Sequence, residues 1–384
     1  MLSFALLLTR AVATNDEPFG SGVVVGRPAG AARYFTVVDA GRRGLDAPGA
    51  VWVLGRTGDW PDAFPHSGTR IWLGASSSNL LGPPAADLPV DENASANLGA
   101  LAGPRGLELA GGLENLQVPE ARRGIRVFAA PTKAALLRGA FATSATIRGG
   151  APGCLERRRV PHKIAPGVCE FDGRVSLARR ADGDVFLYAR ANLRQKNGGR
   201  YVQVARRRAG GGWQSFAPLQ VDGYPWQQCF DRNVYFAAVN ANPADGSTLL
   251  ALMPVNDGAR AFVGLSLSCD GARFSALRPV LASTMAPYGR SSDHPADGLL
   301  EEPNGDVSFF VHRDVPGIAA PGTAATLVRL SLPRGDLANY TAHAKRTLKR
   351  RGWCDDGGAW PPPRPPGPDW LWGPQARRRR TARS

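Results

Sequence analysis

The sequence predicts an all-β chain, and three observations carry that expectation. Glycine (46) and proline (32) interrupt it too often for long helices, with short apolar runs between them every ten residues or so. Those runs are rich in β-branched and aromatic residues, and some alternate as a half-exposed strand does, for example Tyr201-Val202-Gln203-Val204-Ala205. Of the 384 residues 43% are hydrophobic and 21% charged, enough to bury a sizeable core, which excludes disorder throughout. No run approaches the ~20 apolar residues of a spanning helix, and the opening LSFALLL stops at Thr9 and Arg10. A polytopic membrane protein is excluded.

A repeat refines the class. Gly183-Asp184-Val185-Phe186-Leu187-Tyr188-Ala189-Arg190 reads as a buried strand entered through a Gly-Asp turn, and Gly305-Asp306-Val307-Ser308-Phe309-Phe310-Val311-His312 repeats it. Each follows an Asp-Gly pair, Asp172-Gly173 and Asp297-Gly298, and Asp184 and Asp306 stand 122 residues apart. Strand-like runs at 233–242 and 247–255 fall between them, so the expected period is about 60 residues, that of a four-stranded propeller blade with generous loops. Leu107–Gly112 and Gly124–Phe128 supply an earlier blade, and Tyr34–Val38, Val51–Leu54 and Arg70–Leu73 another. The total is about five blades. Two stacked sandwiches, the competing arrangement, leave the repeated spacing unexplained. The expected organisation is a candidate signal peptide over 1–13, a five-bladed β-propeller over 14–340 and a disordered Pro/Arg/Trp-rich tail over 341–384.

Charge and cysteine content bound the setting. The formal balance is +15, but residues 345–384 hold 11 basic and 3 acidic side chains, leaving only +7 elsewhere. The excess is mostly arginine, so no specific nucleic-acid partner is expected, while the tail offers a basic surface to anionic glycans or membranes. Ala11-Val12-Ala13 has the small-x-small pattern of a signal-peptidase site, and Asn93-Ala94-Ser95 and Asn339-Tyr340-Thr341 are sequons, which together favour a secreted or endomembrane protein over a cytoplasmic one. The five cysteines contain no CxxC pair. Cys154 and Cys169 bracket a basic loop and are either a disulfide or buried free thiols. No His/Asp spacing matches a metal cage, and no cofactor is expected.

One turn is more specific. Ser268-Cys269-Asp270-Gly271-Ala272-Arg273-Phe274 matches the hairpin in which Asp and Gly make the turn and an aromatic packs back between sheets. It resembles the Asp-box of sialidases and the equivalent turn of other glycosidase propellers. The succession CEFDGRVSLAR, FLYARANL, GRYVQVARR, SCDGARF and SDHPADGLL then resembles the five-bladed propeller glycosidases of the arabinanase, β-xylosidase, invertase and levansucrase group, over residues from about 90 to 333.

The resemblance implies a funnel to which three blades each contribute an acid, and a carbohydrate substrate of plant or algal type. Asp172 in the FDGR segment corresponds to the aspartate that steadies the transition state, Asp91 (with Glu92 beside it) to the first-blade aspartate, and Asp297 to the third acid by repeat position. The family's third-blade glutamate has no counterpart, since Glu301 and Glu302 only precede the Pro303-Asn304-Gly305 turn. Glycoside cleavage needs a protonated carboxyl at the leaving oxygen and a second carboxylate ~5 to 9.5 Å away, a spacing that separate blades can hold. Arg174 is expected to pair with Asp172, and Arg190, His294 and His312 are candidate sugar-binding residues. A propeller that binds carbohydrate or protein without cleaving it is the alternative.

Overall fold

The computed structural model describes residues 22–28, 32–57, 68–88, 97–103, 106–113, 123–148, 151–155, 169, 171, 174–192, 200–224, 233–286, 290–354 and 360–362. The apolar runs found in the sequence form antiparallel strands in successive sets. β1 (Val23–Gly26) precedes a first set, β2 (Arg33–Asp39), β3 (Val51–Arg56), β4 (Thr69–Ala75) and β5 (Ala86–Leu88). The second set is β6 (Gly99–Gly103), β7 (Gly106–Leu113), β8 (Gly124–Ala130) and β9 (Ala142–Ile147), with the short helix α1 (Lys133–Arg138) before β9. The third is β10 (Val175–Arg179), β11 (Val185–Asn192), β12 (Arg200–Arg207) and β13 (Ala217–Pro218).

A fourth, more irregular set holds β14 (Gln220–Val221), β15 (Asn233–Val234), β16 (Ala238–Ala241), β17 (Leu249–Asn256), β18 (Ala261–Ser268), β19 (Arg273–Phe274) and β20 (Arg278–Ser283). A small hairpin, β21 (Met285–Ala286) and β22 (Arg290–Ser291), leads to the last set, β23 (His294–Glu301), β24 (Val307–Arg313) and β25 (Thr326–Leu332), and helix α2 (Arg334–Arg350) follows. β1 pairs with β25, so the start of the chain completes the last sheet.

The first long strand of each set lies innermost. β2 packs on β6, β6 on β10, β10 on β16, β16 on β23, and β23 returns to β2, with which it runs parallel at Thr36 and Asp297. Apolar clusters fill the spaces between neighbouring sets: Leu54, Leu109 and Phe128 between the first two, Val127, Leu177 and Leu187 between the next. Phe186, Val204 and Val239 follow, then Leu265, Phe309 and Leu330, and finally Phe35, Val53 and Phe310, which return to the first set. Each inner strand is therefore held from both sides by area burial.

The sequence repeat is the hairpin between the first and second strands of a set. Gly183 donates to the Arg180 carbonyl at 3.0 Å and Gly305 to that of Glu302 at 2.8 Å, both glycines with φ near +90°. The β16–β17 turn at Asp245-Gly246 stands 61 residues from Asp184 and 61 from Asp306, where the half-period was expected.

One expectation changes. The tail was expected to be disordered from residue 341, but that boundary falls inside α2, which buries Leu337, Tyr340, Ala344 and Leu348 against the β18 region. In the sequence its Arg/Lys content masks this apolar stripe. The Asn339 sequon lies in the same helix, and the buried Thr341 hydroxyl accepts from Asn242 Nδ2 at 2.9 Å. Cys154–Cys169 is a disulfide, as is Cys269–Cys354, while Cys229, Asn93 and residues 1–13 lie outside the described residues. Among the described residues no helix is long and apolar enough to cross a membrane.

The second disulfide closes an 85-residue separation and ties the end of α2 to the β18–β19 turn. Replacing Cys354 with Ser should lower the unfolding free energy by about 2–4 kcal/mol in denaturant titrations. An unchanged midpoint would mean that the apolar face of α2 alone holds the segment.

Candidate functional site

The inner strands meet at a buried polar knot. Arg174, just before β10, buries its guanidinium completely and donates to the carbonyls of Tyr34 (2.7 Å), Phe35 (2.8 Å) and Leu98 (3.3 Å), and to Thr36 Oγ1 at 2.8 Å. Thr36 Oγ1 in turn donates to the Leu98 carbonyl at 2.6 Å. Ser176 Oγ donates to Asp297 Oδ1 at 2.8 Å and accepts from the Val239 amide at 3.0 Å. Asp297 Oδ2 lies 3.8 Å from Arg174 Nη2. Groups from all five inner strands or their entry points thus converge within one hydrogen-bond network.

The local chain explains why Asp297 points there. Across β23 the pairing register passes from Pro295 opposite Val311 to Leu299 opposite Phe309, so the strand carries extra residues in a bulge. Gly298 has φ +94°, and a Cβ there would overlap the Val37 carbonyl, so glycine lets β23 run against β2. β10 pairs with β11 without interruption. Asp297 is consequently a bulge residue inside a strand, while Asp172, its expected repeat counterpart, lies outside the described residues.

Burial raises the Asp297 carboxyl to about 6, against the opposing influence of Arg174, Ser176 and its own Gly298 amide. Burial likewise works against the Arg174 charge, with Asp297 and Tyr34 favouring it. Desolvation dominates both partners because no direct hydrogen bond joins them.

A second layer lies at the N-terminal ends of the inner strands. His294 stacks on Tyr34 (centroids 5.4 Å apart, 26° between planes) and lies 5.2 Å from both Tyr235 and Phe236. The guanidiniums of Arg190 and Arg200 sit over the Tyr235 ring at 4.5 and 5.0 Å. Burial pushes the Tyr235 phenol up, but Arg190, Arg200, the Tyr34 hydroxyl and Arg290 together bring it down to about 8. Burial holds His294 well below its ordinary value, with His312, Arg190 and Arg290 acting the same way.

Of the sequence-predicted residues, Asp297, Arg174, Arg190 and His294 are brought together here. Asp172, Asp91 and Glu92 lie outside the described residues, so Arg174 is seen with Asp297 and not with its expected partner. His312 is the cross-strand partner of His294, packs against Phe35 with centroids 5.1 Å apart, and is pushed by burial and Arg33 to about 3. Trp52 and Trp72 are core residues, and the indole of Trp52 donates to Asp46 Oδ2 at 2.8 Å; Trp60 and Trp226 lie outside the described residues. Glu301 pairs with Arg42 at 2.9 Å and Glu302 accepts from Ser308 Oγ at 2.6 Å, so neither glutamate is simply solvated. Sequence reading missed Thr36, Ser176, Tyr34 and Tyr235. The only signal for Ser176 was a hydroxyl inside an apolar run.

At the opposite end of the ring a cleft of about 220 Å³ is lined by Asp39, Arg43, Arg179, Asn240 and Glu301 among others, and by none of the predicted site residues. Among the described residues no group of three or more His, Cys, Asp or Glu side chains is placed to hold a metal ion.

No protein-family model and no curated protein matches the sequence. Similar solved structures include an endo-arabinase from Bacteroides thetaiotaomicron, 9% identical, covering 81% of this chain and 97% of that one at a TM-score of 0.48. An α-L-arabinofuranosidase from Fusarium graminearum is 10% identical, with 82% and 98% covered and a TM-score of 0.46. A thermostable family-43 glycoside hydrolase is 11% identical, with 92% and 99% covered and a TM-score of 0.48.

The knot makes a stability prediction. Arg174→Met leaves Asp297 buried without its cation and removes the guanidinium donors to the Tyr34 and Phe35 carbonyls, and should cost about 3–5 kcal/mol. Adding Asp297→Leu should recover part of that loss, because the uncompensated carboxyl disappears. Strictly additive losses in a double-mutant cycle would show the two groups to be uncoupled.

Proposed function

We propose that the chain is a five-bladed propeller glycosidase, acting on a plant or algal type polysaccharide or oligosaccharide, with Asp297 as its proton donor. The observation that carries this is the Asp297 carboxyl, raised to about 6 at the point where the inner strands meet. A carboxyl tuned to about 6 is half protonated at pH 6 and still about one-tenth protonated at pH 7, a supply of protons that general-acid catalysis can use and that the missing third-blade glutamate was expected to give. Asp172 and Asp91 would furnish the second carboxylate, standing three and eight residues ahead of the inner strands β10 and β6 in the sequence. Ser268–Phe274 serves as the Asp-box: Asp270 Oδ1 accepts from the amides of Ala272 (2.9 Å) and Arg273 (2.8 Å), and Phe274 is fully buried. The two disulfides fit a secreted protein.

A second reading, a propeller that binds carbohydrate without cleaving it, is favoured by one feature. The Asp297 side chain is almost wholly enclosed and already accepts from Ser176, as a structural carboxyl does.

Release of reducing ends from arabinan, xylan and fructan separates the two. The glycosidase reading expects hydrolysis of at least one of them, a fall of about 10²- to 10⁴-fold in Asp297→Asn and a comparable fall in Asp172→Asn, with folding retained. Binding without release over long incubation favours the second reading. Full activity in both variants removes these carboxyls from the mechanism.

A further inference from the structure

We propose that the cleft at the C-terminal ends of the inner strands is a second binding site, in which Asp39, Arg43 and Asn240 hold one neutral sugar ring through its hydroxyls. The site goes beyond the proposed hydrolysis, since it holds whether or not Asp297 is a proton donor.

The cleft lies on the axis around which the inner strands are arranged, and its lining takes residues from all five of them. Val37, Leu177, Asn240 and Gly298 line it, and each directly follows a residue of the buried knot: Thr36, Ser176, Val239 or Asp297. On four strands the cleft thus begins one residue beyond the knot. The strands then end in polar groups. Asp39 closes β2, Arg179 closes β10 and Glu301 closes β23, while Asn240 is next to last in β16. β6 ends in Gly103, and the Arg179 guanidinium lies over it, where a Cβ would collide with Nη1.

Three of the lining groups have hydrogen-bonding capacity uncommitted to the protein. Among the described residues, the Arg43 guanidinium and the Asn240 carboxamide have no hydrogen-bond or ion-pair partner, and Asp39 commits only Oδ1, to the Arg42 amide at 3.0 Å. Glu301 and Arg179 are already paired, with Arg42 at 2.9 Å and with Glu108 at 3.9 Å. The uncommitted set is therefore a guanidinium that only donates, a carboxylate that only accepts and a carboxamide that does both. Sugar hydroxyls donate and accept alike, so neighbouring hydroxyls on one ring satisfy all three. The lining charges also balance, Asp39 and Glu301 against Arg43 and Arg179, which gives neither a cation nor an anion an advantage. Ala102 and Leu299, both half-buried, add apolar surface for the C–H face of the sugar. The volume of about 220 Å³ equals that of about seven waters at ~30 Å³ each, room for a single sugar ring.

Titration of ¹⁵N-labelled protein with D-galactose, D-xylose and L-arabinose, and with D-galacturonate and D-galactosamine as charged analogues, tests this through the amide signals of Ala102, Asn240 and Leu299. At least one neutral sugar should shift them with a dissociation constant of about 1–10 mM, and galactose should bind at least about threefold more tightly than either charged analogue. Arg43→Ala, at an exposed position without protein partners, and Asn240→Leu should each weaken that binding about 5- to 10-fold. No shift of these signals by any neutral sugar up to about 100 mM, tighter binding of galacturonate or galactosamine, or unchanged affinity in both variants overturns the proposal. The glycosidase reading fails separately: sugar binding in the cleft without any hydrolysis keeps this site and removes that reading, whereas hydrolysis without the shifts does the reverse.

Discussion

The buried guanidinium of Arg174 is the interaction on which the interior depends. Where inner strands splay around an axis, carbonyls at their entry points lose ladder partners, and buried carbonyls without donors are costly. Arg174 meets this need at Tyr34, Phe35 and Leu98, which belong to two different sets of strands. Its charge then calls for an anion, and the β23 bulge supplies Asp297. Ser176 passes the link on to Val239. One side chain therefore couples backbone accounting to the placement of the most perturbed carboxyl described.

The same enclosure decides the protonation of the surrounding groups. Burial lifts Asp297 and lowers His294 and His312, so the carboxyl is available as an acid while the two histidines act as neutral rings. Among the described residues, positive charge at the N-terminal ends of the inner strands comes from Arg190 and Arg200, stacked on Tyr235, which packs with Tyr34, Phe236 and His294. At the opposite end the cleft is lined by Asp39, Arg43, Arg179, Asn240 and Glu301 among others, with Glu301 paired to Arg42 and Arg179 to Glu108.

Much of the strand content was legible because it rests on local signals. The Gly-Asp hairpins at Gly183 and Gly305 need a positive φ and the apolar runs around them read as strands, both visible in one dimension, although Tyr201–Ala205, whose alternation predicted a half-exposed strand, is buried throughout. The site was legible only in part. Asp297 stood out through its Asp-Gly pair and Arg174 through its place beside Asp172, yet the approach of Arg174 to Asp297 depends on a bulge that inserts residues into β23, and bulges leave no periodic trace. Ser176 and Thr36 are small hydroxyls whose importance comes from strands distant in sequence. Helix α2 was hidden by composition, since its basic exposed face outweighed the stripe of Leu337, Tyr340, Ala344 and Leu348.

The central claim, that enclosure at the strand junction holds Asp297 in a protonatable state against the pull of Arg174, is open to direct measurement. The side-chain carboxyl carbon of Asp297, assigned by its loss in Asp297→Asn, can be followed by ¹³C NMR from pH 3 to pH 9. Because burial favours the neutral form, the proton should be released as pH rises through about 6. A midpoint at or below the ordinary aspartate value of about 3.9 would mean that Arg174 prevails over desolvation, and would contradict the account.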